Sequence, residues 1–367
     1  MKVSRVTGRK KMSRRTKTLI ISICLLMLTA CSSSRIPEAV SEVEENAGLQ
    51  IGLSFDSFVI ERWLRDRDVF VSTAEELGAS VNVQNANGDV EEQIDQIRYL
   101  IRKGVDVIAI IAIDADALGD VVQEAKAAGI RVICYDRLIR NAATDLYVSF
   151  DNEQVGYLMG EHLADRLSGK GNIFAIYGSR SDYNVDLVNA GLKKALEGTD
   201  ISIVYEAYCD NWLAELAFDA VNEGLSQYPQ IDGIMCGNDD LASQAIKALS
   251  EHRLAGSIPV AAQDAELAAC QRILEGTQTM TVFKSVDEEA RCAATLAVML
   301  GRGEQITDQD LAGDMAVTQT IFDGNADVPY YMIEPVAVTR DNLEEVIIGK
   351  GFHRREDVYL NVAEDSK

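Results

Sequence analysis

From Leu49 onward, short apolar runs alternate with longer segments of helical period, and this constrains the fold more than any other feature of the chain. Residues 50–55, 79–84, 105–113, 130–135 and 146–150 read as strands, with helices over 61–77, 89–103 and 116–128 between them. Such alternation predicts a parallel sheet with helices packed on both faces. Gly78, Gly104 and Gly129 fall just past the helices, where a left-handed C-cap is wanted. The pattern then restarts. Strands are expected at 172–177, 201–205, 231–236, 258–262 and 279–283, and helices at about 184–197, 212–227, 239–252 and 265–275. The expected fold class is therefore α/β, with two doubly wound parallel-sheet lobes.

The two halves echo each other. Gly104-Val-Asp-Val-Ile leads through a helix to Ile130-Arg-Val-Ile-Cys-Tyr-Asp136, and Ile231-Asp-Gly-Ile-Met leads through a helix to Ile258-Pro-Val-Ala-Ala-Gln-Asp264. In open parallel sheets ligands bind beyond the carboxyl ends of the strands. Asp136 and Asp264 are thus expected to face one cleft, one from each lobe.

The start of the chain is different. Lys2 to Lys17 is cationic, and Leu19 to Ala30 is an apolar run of 12 residues, too short to span a bilayer and suited to a signal peptide. Leu28-Thr29-Ala30-Cys31, followed by three serines, resembles a bacterial lipobox, in which the cysteine becomes the lipidated first residue. The other reading is an ordinary cleavage site beside an unrelated cysteine. Arg14-Arg15 is followed by Thr-Lys-Thr, a poor match to a twin-arginine signal. Residues 1–30 are expected to be a lipoprotein signal peptide and 31–47 a solvated tether, with the membrane reached through a lipid anchor alone. Eight of the 35 Lys and Arg lie in residues 1–30, so the remainder carries 27 against 58 acids, a net of −31. A body that acidic repels phosphate backbones, and nucleic acid is not an expected partner.

Little in the chain suggests bond chemistry. Cys134, Cys209, Cys236, Cys270 and Cys292 are an odd number with no CxxC pair, of which Cys134 and Cys236, at the ends of apolar runs, read as small core residues, and His162, His252 and His353 have no metal-ligand spacing. Gly169-Lys-Gly171 is followed by Phe174 where a dinucleotide motif needs a glycine, and no Gly-x-Ser-x-Gly elbow occurs. No metal, cofactor or enzymatic activity is expected. The predicted strand ends instead collect planar polar groups and aromatics: Glu61-Arg62-Trp63, Tyr135-Asp136-Arg137, Ser181-Asp182-Tyr183-Asn184, Asp210-Asn211-Trp212, Gly237-Asn238-Asp239, Gln263-Asp264 and Phe283-Lys284. A sugar ring needs this mixture: carboxylates accept from hydroxyls, Arg, Asn and Lys donate, and aromatic faces cover C–H faces. Singly, each cluster has another reading. Asn238 suits a helix N-cap, and Arg62 and Trp63 suit a solvated charge and a core anchor.

Together these stretches resemble the bacterial D-xylose-binding proteins of ABC transporters, in the type I periplasmic binding protein superfamily. The resemblance runs from about Leu49 to Phe352 and rests on Glu61-Arg-Trp-Leu-Arg-Asp-Arg-Asp68, Val83-Gln-Asn-Ala-Asn-Gly88, Tyr135-Asp-Arg137, Ser149-Phe-Asp-Asn152, Gln263-Asp264 and Gly276-Thr-Gln-Thr-Met-Thr-Val282. It implies ligand contacts at Arg62, Trp63, Asp136, Arg137, Asp182, Asn184, Trp212, Asn238, Asp264 and Lys284. Tyr183 stands where an Asn is expected and Gly237 where a Ser is expected, both beside contacts. The resemblance also implies a three-strand hinge crossing near 152–155, 283–286 and 321–328. One lobe would hold 48–152 and 286–322, the other 153–285 and 328–358. Such a receptor captures a monosaccharide by hinge closure and delivers it to an ABC permease. The alternative is a sugar-sensing lipoprotein reporting to a membrane histidine kinase.

Overall fold

The computed structural model describes residues 48–304, 306 and 319–362. The signal, the tether and Cys31 lie outside the described residues. In chain order the first strands and helices are β1 (Gln50–Phe55), α1 (Arg62–Glu76), β2 (Ser80–Asn85), α2 (Val90–Lys103), β3 (Val107–Ile110), α3 (Gly119–Ala127), β4 (Arg131–Tyr135) and β5 (Leu146–Phe150). The second series is α4 (Asn152–Arg166), β6 (Lys170–Tyr177), α5 (Tyr183–Leu196), β7 (Asp200–Tyr208), α6 (Glu215–Gln227), β8 (Gly233–Cys236), α7 (Asp239–Glu251), β9 (Val260–Gln263), α8 (Leu267–Glu275) and β10 (Met280–Phe283). The chain ends with α9 (Val286–Gly301), β11 (Gln319–Phe322), β12 (Asp327–Ile333), β13 (Val336–Val338) and α10 (Arg355–Val358).

Local chemistry accounts for the element ends. Asp89 caps α2 by accepting from the Glu92 amide, Glu91 and Glu92 occupy its first turn, and Arg102 and Lys103 its last, each charge matching the helix dipole. Gly104 then closes α2 at φ 71°, a left-handed position that suits glycine. The strands of β3, β8, β9 and β10 are buried at every residue, because helices cover both faces of each sheet.

Two sheets result, one of seven strands in the order β11-β12-β5-β4-β3-β1-β2 and one of six in the order β13-β10-β9-β8-β6-β7. The pairings are parallel except β11 with β12 and β10 with β13. In the second lobe α4 and α5 pack backbone to backbone. A Cβ on Gly191 would lie 1.8 Å from the Glu153 carbonyl oxygen, so only glycine permits that contact.

The crossings between lobes fall at Asp151, at 284–285 and at 334–335. The third differs from the expected 321–328, and the segment assigned to the second lobe from 328 onward begins in the first. The reason is pairing. β12 runs parallel to β5, matching Tyr330 with Tyr147 through Ile333 with Phe150; the two tyrosine rings stack at 4.6 Å, and the Tyr330 hydroxyl donates to the Phe150 carbonyl at 2.6 Å. Only with β13 does the chain join the other sheet, against β10.

Candidate functional site

Within the two sheets, β2-β1-β3-β4-β5 and β7-β6-β8-β9-β10 follow one strand order, which reverses beside β1 and beside β6. Each sheet therefore has a topological switch point, and the carboxyl ends there make a crevice. Asp136 directly follows β4, and Asp264 directly follows β9, its counterpart. Both sit in left-handed backbone, at φ 61° and 101°, a conformation that a non-glycine residue adopts at a cost. Each is held the same way, its amide donating at 2.8 Å to the neighbouring strand, Asp136 to the Val148 carbonyl and Asp264 to the Val282 carbonyl.

Arg62, Trp63, Asp136, Arg137, Asp182, Asn184, Trp212, Asn238, Asp264 and Lys284 all line one cavity between the lobes. Ile60, Asn152 and Gln263 complete its wall.

The charges are wired in two groups. Arg62 opens α1, and its guanidinium grips Asp66 one turn on, with Nε to Oδ2 at 3.2 Å and Nη2 to Oδ1 at 2.9 Å. It also donates from Nη1 to Asp136 at 3.0 Å and from Nη2 to Glu289 of α9 at 2.5 Å. Burial pushes the Asp136 carboxyl up, but Arg62, Lys284 and Arg137 outweigh it and hold the group below its ordinary value. Arg137 binds Asp56 at 2.8 Å within its own lobe and pairs across the cleft through Nε with Asp182 at 2.7 Å. Lys284, at the second crossing, pairs with Asp264 at 2.8 Å. The Asn184 amide reaches across the cleft from α5 to the Asp136 carbonyl at 3.1 Å and carboxylate at 3.0 Å. With the Ala115 amide on the Ser181 carbonyl, these bonds join the lobes in a closed arrangement.

The two indoles come from opposite lobes. Trp63 stands edge-on to Phe55 at 6.1 Å, with the Arg62 guanidinium 4.4 Å from its ring. Trp212 lies in a short 3-10 turn, Asp210–Trp212, ahead of α6, and its Nε1 donates to Asp182 at 3.2 Å. Gly178, just past β6, makes room for it: a Cβ there would meet the ring at 2.3 Å. Gly237 works on the same ring, since a Cβ would lie 3.2 Å from Trp212 and 2.9 Å from the Gly178 amide. The expected serine is therefore excluded by packing. Tyr183 stays off the cavity wall and lies under the Arg140 guanidinium at 5.6 Å, an aromatic contact between lobes.

Among the described residues nine buried side-chain polar atoms have no hydrogen bond, and five of them belong to cavity-lining residues. Trp63 Nε1, Arg137 Nε and Asn238 Nδ2 are donors; Gln263 Oε1 and Asp264 Oδ1 are acceptors. The Asn238 side chain does cap α7, through Oδ1 on the Leu241 amide at 2.9 Å, and this leaves its Nδ2 spare. Both readings of that residue hold at once. For Arg137 Nε and Asp264 Oδ1 the close ion partner is not aligned for a hydrogen bond. Buried polar groups are normally satisfied, so such a concentration marks a place built to bond something polar.

Sequence reasoning passes over Asn152 and Ile60, and over the supporting layer of Asp56, Asp66 and Glu289. Asn152 and Asp66 sit in the stretches that carry the resemblance, and the Arg62–Asp66 spacing of four is an ion-pair signal on a helix. Nothing local links Glu289, 227 residues away, to Arg62. Among the described residues no group of three or more His, Cys, Asp or Glu could hold a metal ion, and no helix is long and apolar enough to cross a membrane. The five cysteines there are buried without disulfides.

Residues 51–305 match the profile of the periplasmic binding protein domain. The chain is 42% identical over 316 residues to the D-xylose-binding periplasmic protein of Haemophilus influenzae, covering 85% of this chain and 92% of that protein. It is 39% identical over 338 residues to the D-xylose-binding periplasmic protein of Escherichia coli, covering 91% and 98%. Among solved structures, an ABC transporter solute-binding protein from Clostridium phytofermentans with bound β-D-glucose superposes with a TM-score of 0.74 at 27% identity, covering 84% of this chain and 99% of that one. A carbohydrate transporter solute-binding protein from Chloroflexus aurantiacus in complex with D-glucose gives a TM-score of 0.74 at 28% identity, covering 84% and 98%.

Proposed function

The chain belongs to the periplasmic binding protein family, and on that footing we propose that it is an extracytoplasmic receptor that closes two lobes around one molecule of D-xylose and presents it to an ABC permease. The observation that carries this reading is the set of unpaired donors and acceptors around the cavity. A pentose offers hydroxyls that both donate and accept, matching a wall with two spare donors, Trp63 Nε1 and Asn238 Nδ2, a spare acceptor, Gln263 Oε1, and the ion-paired but poorly aligned Arg137 Nε and Asp264 Oδ1. Two indoles provide apolar faces for its C–H groups. The wall is contributed by both lobes, so a sugar bonded to it favours the closed state by the contacts that only closure completes. As in a solute-binding protein, the sugar is captured and released unchanged. Cys31 carries the lipid that tethers it to the outer face of the cell membrane.

Calorimetric titration against pentoses and hexoses tests the assignment. D-Xylose should bind one per chain and more tightly than the other sugars. A different monosaccharide binding at least tenfold tighter overturns the sugar, and silence across the panel overturns the receptor. For the anchor, Cys31→Ser should move the protein from the membrane to the soluble fraction; unchanged fractionation refutes lipidation.

A further inference from the structure

Nine Arg, Lys, Asp and Glu side chains among the described residues share the buried ion pairs in and behind the cavity wall, and their charges do not balance. The cations are Arg62, Arg137 and Lys284; the carboxyls are Asp56, Asp66, Asp136, Asp182, Asp264 and Glu289. Three uncompensated buried anions would be severely unfavourable, so protons must reside among these carboxyls. Glu289 is the natural holder. It is fully buried, its ion partner among the described residues is an Arg62 already shared with Asp66 and Asp136, and its Oε1 has no hydrogen bond there. The groups acting on it are Arg62 and Asp66 of α1, Asp136 after β4, and Lys284 at the second crossing. Tyr135 and Tyr330 also lie within its field. Burial, then Asp136, raise its carboxyl well above the ordinary value even with Arg62 opposing.

A guanidinium has five N–H donors in a rigid plane. In Arg62 the Nε hydrogen goes to Asp66, the two Nη2 hydrogens go to Asp66 and Glu289, and one Nη1 hydrogen goes to Asp136. The second Nη1 hydrogen remains for the cavity that Arg62 lines. We infer that Glu289 is a positioning residue for sugar binding: its Oε2 accepts from Nη2, fixes the plane of the guanidinium, and so aims the remaining Nη1 hydrogen at the ligand. Asp66 sets the hinge edge of the same plane, and Glu289 locks its rotation from the far side. The role is built across the crossing, because α9 begins two residues after Lys284 and carries Glu289 back onto α1. This deepens the sugar-receptor reading and rests on it for the identity of the ligand.

Three variants of the full chain test it, each checked for folding by circular dichroism and thermal unfolding. Glu289→Gln keeps the acceptor without a charge and should bind D-xylose within about threefold of the unchanged protein. Glu289→Asp keeps the carboxyl but shortens its reach, and should bind at least fivefold more weakly; Glu289→Ala should lose at least tenfold. A second readout needs no sugar. Arg62 lies 4.4 Å over Trp63, and both belong to the first lobe with Glu289, so in a Trp212→Phe background the Trp63 emission reports the guanidinium. That emission should shift in Glu289→Ala and Glu289→Asp and stay in place in Glu289→Gln. Affinity and emission unchanged in the Asp and Ala variants, with only melting affected, would show a purely structural residue and overturn the inference. A tenfold loss in Glu289→Gln would overturn it as well, since the amide keeps an acceptor. If no sugar binds the unchanged protein, the receptor reading fails, and the emission experiment alone decides the position of Arg62. Should Glu289→Ala not fold, the Gln and Asp pair still distinguishes a positioning residue from a structural one.

Discussion

Asp136 and Asp264 occupy matching positions in two lobes of one design, yet their surroundings differ. Asp136 is bonded by Arg62 and by Asn184 from the opposite lobe, its carbonyl takes the Ser149 and Tyr147 hydroxyls, and its carboxyl is held acidic. Asp264 has Lys284 at 2.8 Å, with Oδ1 outside any hydrogen bond among the described residues, and the Gln263 Oε1 and Asn238 Nδ2 beside it are likewise unpaired there. The first lobe thus brings a pre-wired charge network to the cleft, and the second brings more of the unfilled bonding capacity. A duplicated scaffold fixes where both aspartates stand, while their partners decide what the loss of each one leaves behind.

Alanine substitution should separate the two, with the largest effects of any change considered. Asp136→Ala leaves the Asn184 amide and one Arg62 Nη1 hydrogen without their acceptor, while Asp66 and Glu289 still pair the guanidinium, costing about 1–3 kcal/mol in stability as well as binding. Its melting temperature should fall by several degrees, with sugar affinity reduced in proportion. Asp264→Ala leaves the buried Lys284 ammonium without its ion partner, so it should cost about 2–3 kcal/mol of binding free energy and show the larger melting loss of the two. Equal melting losses in the two variants would refute the distinction.

Acidity should divide the lobes in the same sense. Asp239 opens α7 in the second lobe, bonded by Gln278 at 2.6 Å and Thr281 at 2.8 Å; burial pushes its carboxyl up to about 7. The native state then binds a proton more tightly than the unfolded chain does, so this group's contribution to stability declines as pH rises from about 4 to 7. Asp323, beside the β11–β12 turn, is the reverse case. Burial pushes it up, but the amides of Ala326, Asn325, Ala143 and Ala142 hold it below the ordinary value. Its contribution is present above the unfolded value near 4 and is lost as pH falls through the lower native value. The melting temperature of Asp239→Asn relative to the unchanged protein should therefore rise between pH 4 and 7, whereas that of Asp323→Asn should worsen with increasing pH and converge with it in acid. Slopes of the same sign in the two variants would contradict these assignments.

What the chain discloses in advance follows from the range of the interactions involved. Strand and helix positions are set locally, by apolar runs and by caps such as Asp89 and Gly104, and are readable. The end of β12 is not, because Tyr330 belongs to the first lobe only by pairing with Tyr147, 183 residues earlier. Likewise the strand-end clusters stand out as candidates in the sequence, and the structure brings all ten candidate residues to one cavity. Glu289 and Asp56 do not stand out, since each acts through an arginine delivered from elsewhere in the fold. The absence of a serine at 237 acquires meaning only with Trp212 packed on Gly178 and Gly237.

The indoles give the smallest and most direct test of the asymmetry. The chain has two tryptophans, Trp63 in the first lobe and Trp212 in the second, so fluorescence reports on the cleft without background. Here the roles run opposite to those of the aspartates. Trp212 Nε1 is already committed to Asp182 at 3.2 Å, whereas Trp63 Nε1 has no hydrogen-bond partner among the described residues. Trp63→Phe keeps an aromatic face but removes a donor available to a sugar hydroxyl. It should weaken xylose binding by about one hydrogen bond's net value, 0.5–1.5 kcal/mol, or roughly 2- to 13-fold. Trp212→Phe leaves Asp182 paired with Arg137 at 2.7 Å and keeps the apolar face against the ligand, so its effect on affinity should be smaller still. Intrinsic emission should change saturably on titration with xylose, and each single variant should retain part of that change. Calorimetry on the same samples supplies the control. If heat shows binding while both indoles stay silent, neither lines the occupied cleft; if Trp212→Phe costs more affinity than Trp63→Phe, the spare indole donor is not the one the sugar uses.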